Sequence, residues 1–167
     1  DDSREQARLT AVTDYYERIA LTMPTSPILV GHCLGGSVVQ LLLDRGIGAA
    51  GVAMNVPPAP NRFGSPGVRI ADSDPAVDYG EPDRAPLLLV AGGRDASVPA
   101  ELVATAARCY RQSVAITGYL EYPASCHHPL EAPGWEHLAD DVLDWAEMHT
   151  TMLWSGALPG PELRAED

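Results

Sequence analysis

Apolar positions along the chain fall into two kinds of segment. In the first, Leu9, Val12, Tyr16 and Ile19 step by threes and fours, which predicts one face of an amphipathic helix. The sequence Met23-Pro24-Thr25-Ser26-Pro27 ends it. In the second, apolar residues run over 27–30, 49–56 (interrupted only at Asn55) and 86–91. Short runs with no polar alternation are expected of strands covered on both faces, as in a parallel sheet. Helical spacing returns over 36–44, where Gly46 is placed to close the helix, and again over 99–111. Residues 119–122 predict a fourth, shorter strand. A last helix opens near Pro133-Gly134-Trp135 and sets Leu138, Val142, Trp145 and His149 on one face.

Strands alternating with helices imply right-handed βαβ units, hence an α/β fold with a parallel sheet flanked by helices. One domain over 1–149 is expected, followed by a Pro/Gly-containing tail over 150–167. Between the second and third strands, 57–85 holds Pro57, Pro58, Pro60, Pro66, Pro75 and Pro82 among glycines and aspartates. It predicts neither helix nor strand. A loop that long inside a compact domain is unusual and tends to be functional.

Three chemically capable spots lie just past the carboxyl ends of predicted strands, the edge where open α/β sheets place ligands and catalytic groups. They are Cys33 in Gly31-His32-Cys33-Leu34-Gly35-Gly36, Asp95 in Gly92-Gly93-Arg94-Asp95, and His127 or His128 in Ser125-Cys126-His127-His128. A strand–Gly-x-Cys-x-Gly–helix layout is that of a nucleophile elbow, where Gly31 and Gly35 are expected to be small because backbone packs closely there. The helix beginning after Cys33 directs its positive end at the sulfur, and the Leu34 backbone N–H can serve as one oxyanion donor. A histidine after the last strand would take the thiol proton while Asp95 orients the imidazole. Plainer roles are also open. A cysteine can be a small buried residue, and Asp95 could simply cap the next helix. His32 is expected to pack or to make a local hydrogen bond. His137 and His149 read as helix-surface residues, Cys109 as helix core, and Cys126 as a bystander.

Composition narrows the partners. Hydrophobic residues make up 46% of the 167 positions, which fits a globular chain. A formal net charge of −12 argues against nucleic acid and anionic membrane. The three cysteines have no metal-ligand spacing and suit a reducing, cytoplasmic setting. Neither a membrane span nor a signal-peptide layout is visible. No metal and no cofactor are expected.

At these residues the chain resembles the α/β-hydrolase superfamily. GHCLGG is similar to the family's GHSxGG with cysteine in place of serine. APLLLVAGGRDASVP resembles the strand and acid loop, which carries the triad acid over to Asp95. EYPASCHHPLEAPGWEHLADDVLDW is similar to the final strand, histidine loop and helix, and its spacing carries the catalytic histidine to His127, with His128 an ordinary neighbour. Dienelactone hydrolases and polyhydroxyalkanoate synthases show similar GxCxGG boxes, so a thiol nucleophile lies within the superfamily's range.

Two departures stand out. The family's earlier strands, with the loop that supplies a second oxyanion donor, have no counterpart before residue 28, and the cap is reduced to 57–85. The implied fold is therefore the C-terminal half of an α/β hydrolase. The implied activity is hydrolysis or acyl transfer on a small ester, lactone or thioester through Cys33, His127 and Asp95. A catalytically silent, ligand-binding subunit is the alternative, and lyase or cyclase chemistry a third. A strand over 28–30 without its neighbour would be an open, apolar edge, so pairing there or homo-oligomerisation is expected.

Overall fold

The computed structural model describes residues 2–58 and 76–155. In chain order they form α1 (Asp2–Leu21), β1 (Ile28–His32), α2 (Leu34–Asp44), β2 (Ala50–Met54), β3 (Leu87–Gly92), α3 (Ala100–Tyr110), β4 (Thr117–Tyr122), a 3-10 turn (Pro129–Glu131) and α4 (Trp135–Ser155). The strands make one sheet in the order β1-β2-β3-β4, parallel throughout.

Why β2 and β3 are apolar without a break is visible at once, since every residue of both strands is buried. On one face Val39 and Leu43 of α2 and Val103 and Tyr110 of α3 pack with Ala53, Leu87 and Leu89. On the other, Leu138 and Val142 of α4 pack with Val52, Met54, Leu88 and Val90. Helix α2 stops at a Schellman-type end: Gly46 takes a φ of +75°, its N–H donates to Leu43 O, and the Ile47 N–H donates to Leu42 O. Glycine suits that left-handed position, as the sequence pattern implied.

β1 differs from β2 and β3. Its unbroken apolar run suits a strand covered on both faces, yet Ile28 is 40% and Val30 54% exposed, as the absent neighbouring strand implied. Val30 is in register with Val52, so it shares the face that α4 covers further in, but β1 is the outermost strand of the sheet. The apolar stripe of α1 is left open for the same reason. An ion-pair cluster from Arg45 to Asp14 and Glu17 ties α1 to α2. Val12, Tyr16 and Ile19 nevertheless stay a third to a half exposed, and with Ile28, Val30 and Gly35 they line a groove of about 460 Å³. A crossover helix normally bridges two adjacent parallel strands; among the described residues α1 has only β1.

Two boundaries also shift. Residues 59–75 lie outside the described part, but the end of the 57–85 segment is anchored. Val77 and Tyr79 are buried, the Tyr79 ring meets Tyr110 edge-on at 4.6 Å, and the Asp78 N–H donates to Asp44 Oδ1 at 2.8 Å. Helix α4 continues through residues 150–155, which read as tail by sequence. No described helix is long and apolar enough to cross a membrane.

An edge with exposed Ile28 and Val30 is a template for pairing. The 167-residue chain alone is therefore expected to self-associate in sizing experiments at micromolar concentration. Val30→Lys should return it to a monomer at a stability change within about 0.5 kcal/mol, as for most surface substitutions. A strictly monomeric unsubstituted chain would contradict this.

Candidate active site

The turn from β1 into α2 is the tightest point of the site. Cys33 has φ 52° and ψ −118°, a left-handed conformation that costs a non-glycine residue about 1–3 kcal/mol. Backbone bonds hold it there. Its N–H donates to Met54 O at 2.9 Å, and its carbonyl accepts from the N–H groups of Gly36 and Ser37 at 2.9 and 3.3 Å. A Cβ on Gly31 would lie 2.2 Å from the Gly35 carbonyl oxygen, so the strand can meet the helix only with glycine at 31. Gly35 differs from expectation. A Cβ there would meet nothing within 4 Å, because Gly35 opens on the groove beside β1. The tightly packed partner is Gly36, whose Cβ would lie 3.0 Å from Val56 Cβ and 3.3 Å from Ala53 Cβ.

Asp95 follows β3 with its side chain 0% exposed. Its two oxygens divide the work. Oδ1 accepts the backbone N–H groups of Ser97 and Val98 at 2.7 and 2.8 Å, and Oδ2 lies 2.7 Å from His127 Nδ1. It does not cap α3, whose N-cap is Pro99 with no side-chain bond. Burial alone would raise the Asp95 carboxyl. The Val98 N–H, the His127 imidazole and the Ser97 N–H more than offset that, and hold it below its ordinary value. With Nδ1–H directed at the carboxylate, His127 keeps Nε2 free to receive a proton. His128 is exposed.

Since all four strands are parallel, Cys33, Asp95 and His127 follow β1, β3 and β4 at the same edge of the sheet. The His127 ring lies 4.8 Å, centroid to centroid, from the ring of His32, the residue before Cys33. No hydrogen bond joins the Cys33 thiol itself to His127 among the described residues. Leu34 opens α2, where the first N–H groups lack intrahelical partners and can face an anion.

Two residues here do more than the sequence reading gave them. Asn55 directly follows β2, is fully buried, and has φ 48°. Its Oδ1 accepts the Gly92 N–H at 2.9 Å, and its Nδ2 donates to the carbonyls of Cys126 and His127 at 3.0 and 2.9 Å. His32 was expected to pack or to bond locally. Its ring packs against those of His127 and His128, but its hydrogen bond is distant, from Nε2 to the His127 carbonyl across the sheet edge. A lone buried asparagine at the carboxyl end of an apolar strand was the available signal, since Asn tolerates left-handed backbone. Elsewhere, Cys109 is partly buried, Cys126 and His137 are exposed, and the His149 ring stacks on Trp145 at 4.2 Å. No group of three or more His, Cys, Asp or Glu among the described residues could hold a metal ion.

No protein-family model matches the sequence, and no curated protein matches it. Solved structures do. A monoacylglycerol lipase from Paleococcus ferrophilus superposes with a TM-score of 0.62 at 18% identity, covering 84% of this chain and 76% of that one. The fold is that of an α/β hydrolase. Zea mays acyl-protein thioesterase 2 matches with a TM-score of 0.62 at 13% identity over 85% of this chain and 64% of its own. The butyrate-bound form of a thermophilic esterase from Thermogutta terrifontis matches at 0.59 and 15%, over 92% and 67%. Across such neighbours this chain spans from 57% to 78% of their length, so it holds part of that α/β-hydrolase fold.

Two measurements probe the geometry. Gly31→Ala should destabilise by about 1–3 kcal/mol or more through overpacking. Gly35→Ala should be neutral or stabilise by up to about 1 kcal/mol through helix propensity. Urea unfolding of both variants checks the opposite signs. The second concerns pH. Because the folded Asp95 carboxyl lies below its unfolded value of about 3.9, its stabilisation is present above that pH and lost as pH falls through the folded value. The stability gap between the unsubstituted chain and Asp95→Asn should therefore be widest near neutrality and close below about pH 4. A gap independent of pH would contradict the assigned interaction.

Proposed function

We propose that the chain carries the acyl-transfer chemistry of a cysteine-dependent hydrolase acting on a small ester, lactone or thioester. Cys33 is the nucleophile, His127 the base and Asp95 the acid that orients it. The observation that carries this reading is the 2.7 Å contact between His127 Nδ1 and the buried Asp95 Oδ2, at the sheet edge that also holds a cysteine in a left-handed elbow. Neighbours named as a lipase, a thioesterase and a butyrate-bound esterase support the substrate class.

In this reading His127 Nε2 takes the thiol proton as sulfur attacks the acyl carbonyl. The Leu34 N–H receives the developing oxyanion. Collapse breaks the bond to the leaving alcohol or thiol, which takes its proton from His127. Water, deprotonated by His127, then hydrolyses the acyl-thioester. Three free cysteines suit a reducing compartment, and a cytoplasmic location is proposed on that ground.

One donor is a thin oxyanion site, since losing a donor typically costs about 10²–10³ in turnover. The groove beside β1 reaches Leu34 and Gly35, so whatever fills it stands next to the elbow. Its proposed occupant is a strand from another segment of the same polypeptide, because the fold neighbours hold more chain than this one. In the isolated chain a second copy takes the same edge against the repulsion of two net charges of −12. A strand tethered in the same polypeptide is held close by and outcompetes it. Such a strand would be positioned to bring a second donor.

A catalytically silent, ligand-binding subunit is the second reading, favoured by the missing hydrogen bond between Cys33 and His127. Intact-mass analysis after brief exposure to p-nitrophenyl acetate separates the two. An acetyl group on Cys33, forming about 10²–10⁴-fold more slowly in His127→Ala, is expected for the enzyme. His128→Ala should stay within about twofold, because general-base assistance resides at one imidazole. No adduct on Cys33, or one on Cys126 alone, favours the silent subunit.

A further inference from the structure

We propose that His32 and Asn55 are positioning residues that together clamp the backbone of the base loop by its carbonyl oxygen at His127. The catalytic part of this inference rests on the functional reading above; the clamp itself does not.

His127 lies between β4 and the 3-10 turn, in a stretch with neither helix nor strand to hold it. Asp95 grips only Nδ1 of its ring, which leaves the main chain free to swing about that contact. The main chain is held from two other strand ends instead. From the end of β1, His32 Nε2 bonds His127 O. From the end of β2, Asn55 Nδ2 bonds the same oxygen at 2.9 Å and Cys126 O at 3.0 Å. A carbonyl oxygen only accepts, so His32 must carry its proton on Nε2, which fixes its tautomer. The Asn55 amide is used at both ends, because Oδ1 also receives the Gly92 N–H at the head of the acid loop. A fully buried amide at φ 48° is tolerable only with its hydrogen bonds made.

The two loops also touch directly. The Arg94 N–H donates to Ser125 O at 2.9 Å, and a Cβ on Gly92 would lie 2.8 Å from Cys126 O. Acid loop and base loop thus move as one piece, and His32 couples that piece to the strand bearing Cys33. Because His32 and Cys33 are adjacent, the His32 bond ties the nucleophile's own strand to the base loop, beside the route that runs through Met54 and Asn55.

The test compares His32→Phe, which keeps a ring and loses the donor, with His32→Gln, whose amide can still reach the carbonyl. Hydrogen–deuterium exchange of peptides spanning 123–128 is the readout independent of activity. It should rise in His32→Phe and in Asn55→Gly, which tolerates the left-handed backbone, and return towards the unsubstituted value in His32→Gln. Unchanged exchange in both His32→Phe and Asn55→Gly overturns the clamp. Equal increases in Phe and Gln variants overturn the role of the donor. In a chain that acylates Cys33, His32→Phe should lower the acylation rate about 10- to 100-fold with KM within about twofold, as for a displaced catalytic group. A looser loop with full acylation would overturn the positioning role. A chain that never acylates would refute the functional reading and leave the clamp to the exchange result.

Discussion

The site depends on one close approach, that of Gly31 at the end of β1 to the Gly35 carbonyl in the first turn of α2. A methyl group at residue 31 would stand 2.2 Å from that oxygen. Only a bare Cα lets the chain reverse so sharply, and the reversal is what forces Cys33 into left-handed backbone. Everything else at the sheet edge is arranged around the resulting position. Met54 holds the Cys33 N–H, the helix start holds its carbonyl, and His32 reaches sideways to the base loop.

Much of the fold was legible because β2 and β3 are buried on both faces, and burial of that kind writes an unbroken apolar run. The glycine at the end of α2 was legible for a local reason, since a Schellman end asks for a left-handed residue. Where the sheet ends was legible only through the resemblance, because the apolar pattern itself does not mark an edge. Ile28, Leu29 and Val30 look like central-strand residues, and Val12, Tyr16 and Ile19 look like a core-facing stripe. Hydrophobic pattern reports what a residue is suited to, and here those surfaces are uncovered in the described part of the chain.

The candidate site divides the same way. Cys33, Asp95 and the histidine pair were visible because their types and their places after strands are chemically unusual. Choosing His127 over His128 needed the resemblance, and the contact to Asp95 now stands beside it. Gly35 was misread because spacing cannot tell a backbone crossing from the side of a helix that faces open space. Asn55 stood out within AAGVAMNV only as a lone polar residue. Its role could not be read because its partners at Gly92, Cys126 and His127 are distant in the chain. Networks joining three strand ends have no local signature.

The anchoring of the proline-rich segment has a consequence for how such a molecule can change. Val56 before it and Val77 in its second half both pack into one apolar cluster, and Tyr79 wedges against Tyr110. The ends are held by the core. Doubling the length of chain between two held ends costs only about 0.6 kcal/mol of closure entropy. The position between them therefore behaves as a socket. Segments of quite different size could be exchanged there without disturbing the sheet.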